Sequence, residues 1–130
     1  MELKFGLDTF GDMQNDLQGN PIHAAQVIRN LVDQAVLADE LGIDNINIGE
    51  HHRDDFAVSA PDTVLAGIAT KTKRIGLGTG VTVLSSDDPV RVYERFATLD
   101  ALSHGRAEIT AGRGSFIESF PLFGYSLDDY

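Results

Sequence analysis

Hydrophobic and polar positions along this chain follow two periods in turn. Leu3, Phe5 and Leu7 alternate with Lys4, Gly6 and Asp8, and Ile46 and Ile48 alternate with Asn45, Asn47 and Gly49. A period of two is the signature of a strand with one face buried. It predicts strands over Leu3–Asp8 and Asn45–Gly49. The β-branched run Ile75–Leu84 and the segment Arg106–Gly112 predict two more. Between them the period lengthens to that of a helix. From Ala24 to about Leu41, the residues Ile28, Leu31, Ala35 and Ala38 fall on one stripe opposite Gln26, Asp33 and Glu40, and Gly42 supplies a left-handed stop. A second helix has Ser59 and Asp62 at capping-box spacing, an apolar face of Val64, Leu65, Ile68 and Ala69, and Lys71, Lys73 and Arg74 near its negative end. A third opens with Asp88 as N-cap and Pro89 at its first position, and runs through Val92, Phe96 and Leu99 to a stop at Gly105.

Strands two, three and four start about 30 residues apart, the repeat of a βαβ crossover. The first unit is longer because a polar loop, Thr9–Ile22, follows strand one. Residues 1–130 therefore read as one α/β domain of about four parallel strands and three helices. Two architectures satisfy that order, a doubly wound sheet or part of a barrel, and periodicity does not choose between them.

Composition narrows the function classes. The formal net charge is −10, from 20 acidic and 10 basic residues, a surface that repels nucleic-acid phosphates and anionic lipid. Neither nucleic acid nor membrane is an expected partner. No apolar run approaches the roughly 20 residues of a membrane span. The start, Met1-Glu2-Leu3-Lys4, lacks the pattern of a signal peptide, so the expected location is the cytoplasm. Cysteine is absent, which removes disulfides, thiolate metal sites and a thiol nucleophile together.

The remaining chemistry gathers after the strands: Glu50-His51-His52-Arg53-Asp54-Asp55-Phe56, Leu84-Ser85-Ser86-Asp87-Asp88, and Gly112-Arg113-Gly114-Ser115-Phe116. Parallel α/β folds bind ligands at the carboxyl ends of their strands. Neighbouring residues on an extended strand point to opposite faces, so His51 and His52 are not expected to share a metal, and no metal site is assigned. Two readings of the cluster stand. One histidine acts as general base or hydrogen-bond donor, or Glu50 and one histidine cap the strand end while the other is solvated. Gly76, Gly78 and Gly80 line one face of strand three, either opening a slot for a flat ring or relieving crowding inside a tight barrel. Arg113 between two glycines suits an anion such as a phosphate, or a nearby carboxylate. The aromatic tail Phe116–Tyr130 shelters a ligand or packs down. Arg91, Arg95 and Asp100 read as the solvated face of the third helix.

In this order and spacing, Glu50-His51-His52, Gly78-Thr79-Gly80-Val81-Thr82-Val83-Leu84, Asp88-Pro89-Val90-Arg91, Ser103-His104-Gly105-Arg106, Gly112-Arg113-Gly114-Ser115-Phe116 and Phe123-Gly124 resemble the bacterial luciferase-like flavin-dependent monooxygenases. The resemblance implies a (β/α)8 TIM-barrel fold, of which this chain is the N-terminal half. It implies reduced FMN at the carboxyl ends of the strands, and O2 used to oxidise an aldehyde or another small organic substrate. Electrons would come from NAD(P)H, bound directly or used by a separate flavin reductase. His51 would be the catalytic histidine. Glu50, Thr79, Gly80, Val81, Arg113, Gly114 and Ser115 would contact the cofactor, with Gly80–Val81 at the place of a cis peptide in some members and Arg113 at the phosphate. Light-emitting members carry a reactive cysteine where this chain has Gly112, so bioluminescence is not implied.

A complete barrel of this type needs about 250 residues. Four strands leave an inner face uncovered and two edges unpaired, which predicts a homo-oligomer. Three functions are thus on the table: an FMN-dependent monooxygenase, a catalytically incomplete half-barrel that assembles with itself or a partner, and a metal-dependent hydrolase using Glu50, His51 and His52.

Overall fold

The computed structural model describes residues 3–130; Met1 and Glu2, part of the N-terminal start considered above, lie outside the described residues. Three strands, β1 (Gly6–Thr9), β2 (Asn45–Ile48) and β3 (Gly76–Thr79), form a parallel sheet in that order. A second parallel ladder joins β4 (Thr82–Val83) to β5 (Ala111–Gly112). Helices α1 (Ala24–Leu41), α2 (Pro61–Ala69) and α3 (Pro89–Ser103) fill the crossovers, and a short α4 (Ser119–Phe123) follows β5. Every neighbouring pair of strands runs the same way, so the trailing loops collect at one end.

The register explains which side is apolar. Leu7, Ile46 and Leu77 stand in one row and Asp8, Asn47 and Gly78 in the next. The first kind of row faces the helices. Ile46, Ile48, Ile75 and Leu77 bury against Leu31, Ala35, Leu65, Ile68 and Leu99, each side chain contributing about 1.5–3 kcal/mol. The opposite face is polar and close-packed. Asn47 Nδ2 donates to Asp8 Oδ1 at 2.8 Å. A Cβ at Gly78 would come 2.2 Å from Asn47 Oδ1, and one at Gly76 would come 3.1 Å from Glu108 Oε1. The first two glycines of the alternating set therefore make room for neighbouring side chains and open no slot.

Several boundaries differ from the sequence expectation. The long third strand is two: it stops at Thr79, passes Gly80–Val81, whose peptide is cis, and resumes at Thr82. The Thr79 and Thr82 hydroxyls bond to each other at 2.7 Å across the interruption. Leu84 already lies in a 3-10 turn. The fourth strand shrinks to Ala111–Gly112, preceded by a single parallel bridge between Leu77 and Ala107. The capping box at Ser59 and Asp62 does not form. Pro61 has no N–H and a φ preset for the first helical turn, so α2 begins there, with Ala60 as an N-cap that makes no side-chain bond. Lys71, Lys73 and Arg74 lie beyond the last turn of α2, which ends at Ala69. Its trailing carbonyls go instead to Arg106, whose guanidinium donates to Ala69 O at 3.0 Å and Thr72 O at 3.2 Å. The third helix stops at the expected place, in a left-handed turn whose first residue is His104 (φ 58°), one before Gly105.

Other ends match. His23 caps α1 by accepting from Ala25 N–H, Gly42 is left-handed at φ 82°, and Asp88 accepts from Val90 and Arg91 N–H. No helix among the described residues is long and apolar enough to cross a membrane.

Candidate functional site

The loops after β1, β2, β3 and β5 meet around a cleft of about 300 Å³. Glu50, His51, Gly80, Val81, Arg113, Gly114 and Ser115 line it, together with Phe10, Val83 and Gly112. Seven of the eight residues singled out from the sequence are thus brought together. Thr79 is not among them. It is buried beneath the cleft, bonded to Thr82, and faces a separate outer cavity.

The two histidines diverge, as adjacent residues must. The His51 ring is boxed by aromatic neighbours, with centroids 4.4 Å from Phe56, 4.9 Å from Phe10 and 4.9 Å from Phe116. Its Nδ1 lies 3.0 Å from Glu118 Oε1. His52 Nε2 lies 2.8 Å from Glu50 Oε1, and its ring meets Phe123 edge-on. The reading that left one histidine solvated is corrected: both rings are packed, and each has its own glutamate. Among the described residues, no group of three or more His, Asp or Glu side chains could hold a metal ion.

Burial of Glu118 pushes its carboxyl upward. The hydrogen bond and charge of the His51 ring, with the backbone N–H groups of Glu118 and His52, outweigh it and hold the group below the ordinary glutamate range. An ionised carboxylate only accepts, so His51 Nδ1 carries the proton in this pair. Glu118 escaped the sequence reading because nothing local marks it. Phe10 escaped too, although an aromatic in an otherwise polar loop directly after a strand was an available signal. It covers Gly49 so closely that a Cβ there would come 2.2 Å from Phe10 Cδ1.

Arg113 takes no carboxylate partner among the described side chains. Its guanidinium carbon sits 4.5 Å above the Tyr130 ring, whose hydroxyl donates to Gly114 O. An exposed cation held by an aromatic face keeps its N–H donors for a ligand. The flanking glycines let the backbone pack closely against the neighbouring Val81 and Val83. A Cβ at Gly112 would come 2.9 Å from Val81 Cγ2, and one at Gly114, itself left-handed, 3.3 Å from Val83. The aromatic tail divides its work: Phe120 is buried and packs the tail down, while Phe116 and Phe123 stand against the histidines.

Behind the cleft lies an outer cavity of about 510 Å³, and Glu50 borders both spaces. Here Arg95 corrects the solvated-face expectation for the third helix. Its guanidinium bonds Asp87, and its Nε lies 2.6 Å from Asp62 Oδ2 but off the N–H axis, an ion pair without a hydrogen bond. Burial pulls the Arg95 proton affinity down, but Asp87, Asp62 and Glu50 raise it overall. Arg91 stays exposed and pairs with Glu94.

A parallel β/α sheet whose strand ends converge on one histidine-lined cleft belongs to the class of α/β proteins that bind ligands at the carboxyl ends of their strands. The family comparison gives that class a name. The luciferase-like monooxygenase family matches residues 4–130, and the chain belongs to it. The alkanal monooxygenase alpha chain of Photorhabdus luminescens is 29% identical over 121 residues, 92% of this chain and 34% of that relative. Among solved structures, the monooxygenase RslO1 of Streptomyces bottropensis superposes with a TM-score of 0.85 at 29% identity, over 98% of this chain and 38% of that one. The oxygenating constituent of 3,6-diketocamphane monooxygenase from Pseudomonas putida, solved with FMN, shares the fold at a TM-score of 0.83 and 23% identity, over 95% of this chain and 33% of that one. The chain spans about a third of the length of these relatives.

Proposed function

We propose that the cleft is one side of an FMN site and that the protein containing it is a flavin-dependent monooxygenase. The observation that carries this reading is the convergence of His51, the Gly80–Val81 linkage and Arg113 from three different strand ends onto one wall. The fit is partial in size. About 300 Å³ lies at the lower bound of small-molecule sites (~300–1,000 Å³), enough for a ring system but not for a whole nucleotide. Bound there, reduced FMN would supply the electrons with which O2 oxidises a small organic substrate. The alkanal monooxygenase relatives make an aldehyde the first substrate to try. NAD(P)H, used directly or through a separate reductase, would reduce the flavin.

The chain's own residues have distinct tasks in this reading. Arg113 pairs with the phosphate, and the backbone of Gly80–Val81 with Phe10 walls the ring. His51 accepts and returns a proton at its free ring nitrogen. Titration of FMN followed by fluorescence quenching tests the site. Arg113→Ala should weaken binding by about 10- to 100-fold, the worth of one hydrogen-bonded ion pair. FMN fluorescence that stays constant throughout the titration would remove the flavin reading.

A second reading, in which the 130-residue chain assembles before it can act, rests on its uncovered edge. Leu3 and Phe5 are 73% and 65% exposed, and among the described residues β1 has no neighbour on its outer side. Such an edge pairs readily. A second copy is the occupant that could complete an eight-stranded ring. Sedimentation at micromolar concentration should show self-association, and a compact stable monomer would count against it.

A further inference from the structure

We propose that Glu118 is a positioning residue for His51: it holds the Nδ1–H so that the lone pair of Nε2 is presented for proton transfer in the cleft. This rests on the reading of His51 as the base. The argument is geometric. His51 Nδ1 and Glu118 Oε1 are 3.0 Å apart, with the two side chains 7% and 19% exposed. Phe10, Phe56 and Phe116 surround the ring and block its rotation. Among the described residues Nε2 makes no hydrogen bond, and it is not one of the fully buried polar atoms left without a partner, so it keeps some exposure although the ring is largely buried. A histidine with one nitrogen fixed by a carboxylate and the other open is in the tautomer a general base requires. Glu118 itself does not line the 300 Å³ cleft, which makes its action indirect.

The place of Glu118 in the fold fits this role. It precedes α4, and its neighbour Ser119 and the next residue Phe120 are buried, so the carboxylate is anchored by a packed turn and not by a free loop. His51 is anchored as well, since its backbone N–H donates to Val58 O at 3.1 Å. Two rigid segments, brought together across the sequence, therefore set one hydrogen bond.

Long-range 1H–15N correlation on the labelled chain reads the imidazole nitrogens directly, at about pH 8.5, where an ordinary histidine is neutral. The expected wild-type signal for His51 is the Nδ1–H tautomer. Glu118→Leu should give a mixture of tautomers. Glu118→Gln, which keeps an acceptor oxygen and the fold but loses the charge, should keep Nδ1–H. In the FMN-loaded protein, Glu118→Gln should lower kcat by roughly 10-fold and Glu118→Leu by roughly 100-fold, less than complete loss of such a partner can cost. KM and FMN affinity should stay within about twofold, because the residue acts through another side chain. A wild-type Nε2–H tautomer, or an unchanged kcat in Glu118→Gln, overturns the proposal. Normal kcat in His51→Ala overturns the base reading on which it rests, whatever the tautomer.

Discussion

His51→Ala is expected to slow substrate oxidation by about 10²–10⁴-fold while FMN affinity changes by no more than about threefold. The asymmetry follows from where the ring sits. It contributes a wall to the cleft, but the cation available to a phosphate is Arg113, on a different strand end. Truncation removes the proton-accepting nitrogen and leaves Glu118 without its partner in a partly buried pocket, which also costs about 1–3 kcal/mol of stability. The mutant must therefore be compared at a temperature where both proteins are folded. Stopped-flow oxidation of substrate by the loaded enzyme separates the chemical step from binding, and an FMN titration supplies the other number. Equal losses in both would assign His51 to holding the cofactor. His52→Ala is the matched control, because its ring is bonded to Glu50 and borders the outer cavity, not the cleft.

The parts of this site that could be read in the sequence are those whose signal is local. The α1 stripe and its Gly42 stop were legible because period and left-handed turn occur within one segment. So was the gathering of chemistry at the strand ends, because parallel order alone places those loops together. The break between β3 and β4 was not legible in the pattern, since Gly80 and Val81 sit inside one strand-like run and hydropathy does not register a peptide's isomer; only the family resemblance pointed to a cis peptide there, and the structure has it. Arg95 was misplaced for a different reason. Its spacing on α3 is that of an exposed position, but Asp62 on α2 and Asp87 before α3 claim its guanidinium. Glu118 is the plainest case: its partner is 67 residues away, and only the packed turn at α4 brings them together. The motif ending in Arg106 points elsewhere again. Its side chain spends its donors on the backbone at the amino-terminal end of the sheet, so it belongs to architecture and not to the cleft.

That same end of the sheet carries the largest expected stability effect. Asp39→Ala should cost about 3–4 kcal/mol, measured by urea denaturation at neutral pH. The buried carboxylate of Asp39 accepts three consecutive backbone N–H groups, from Lys73 at 3.0 Å, Arg74 at 2.8 Å and Ile75 at 2.7 Å. These groups enter β3 and have no helix or ladder partner at that point, so alanine would leave them partly buried and unpaired. Arg106 serves the carbonyls of the same turn, which divides the work between one anion for the donors and one cation for the acceptors. Asp39→Asn should lose roughly half as much. One oxygen can keep Arg74 and Ile75, but an amide NH2 would face the Lys73 N–H. Burial pushes the Asp39 carboxyl up, yet the three N–H donors and the Arg74 charge hold it below the ordinary value of 3.8. A depressed folded pKa means the stabilisation is complete above the unfolded value and is lost as pH falls through the folded one. The stability gap between wild type and Asp39→Ala should therefore be widest at neutral pH and narrow below about pH 3.8. Equal urea midpoints at neutral pH would show that water, and not Asp39, satisfies this turn.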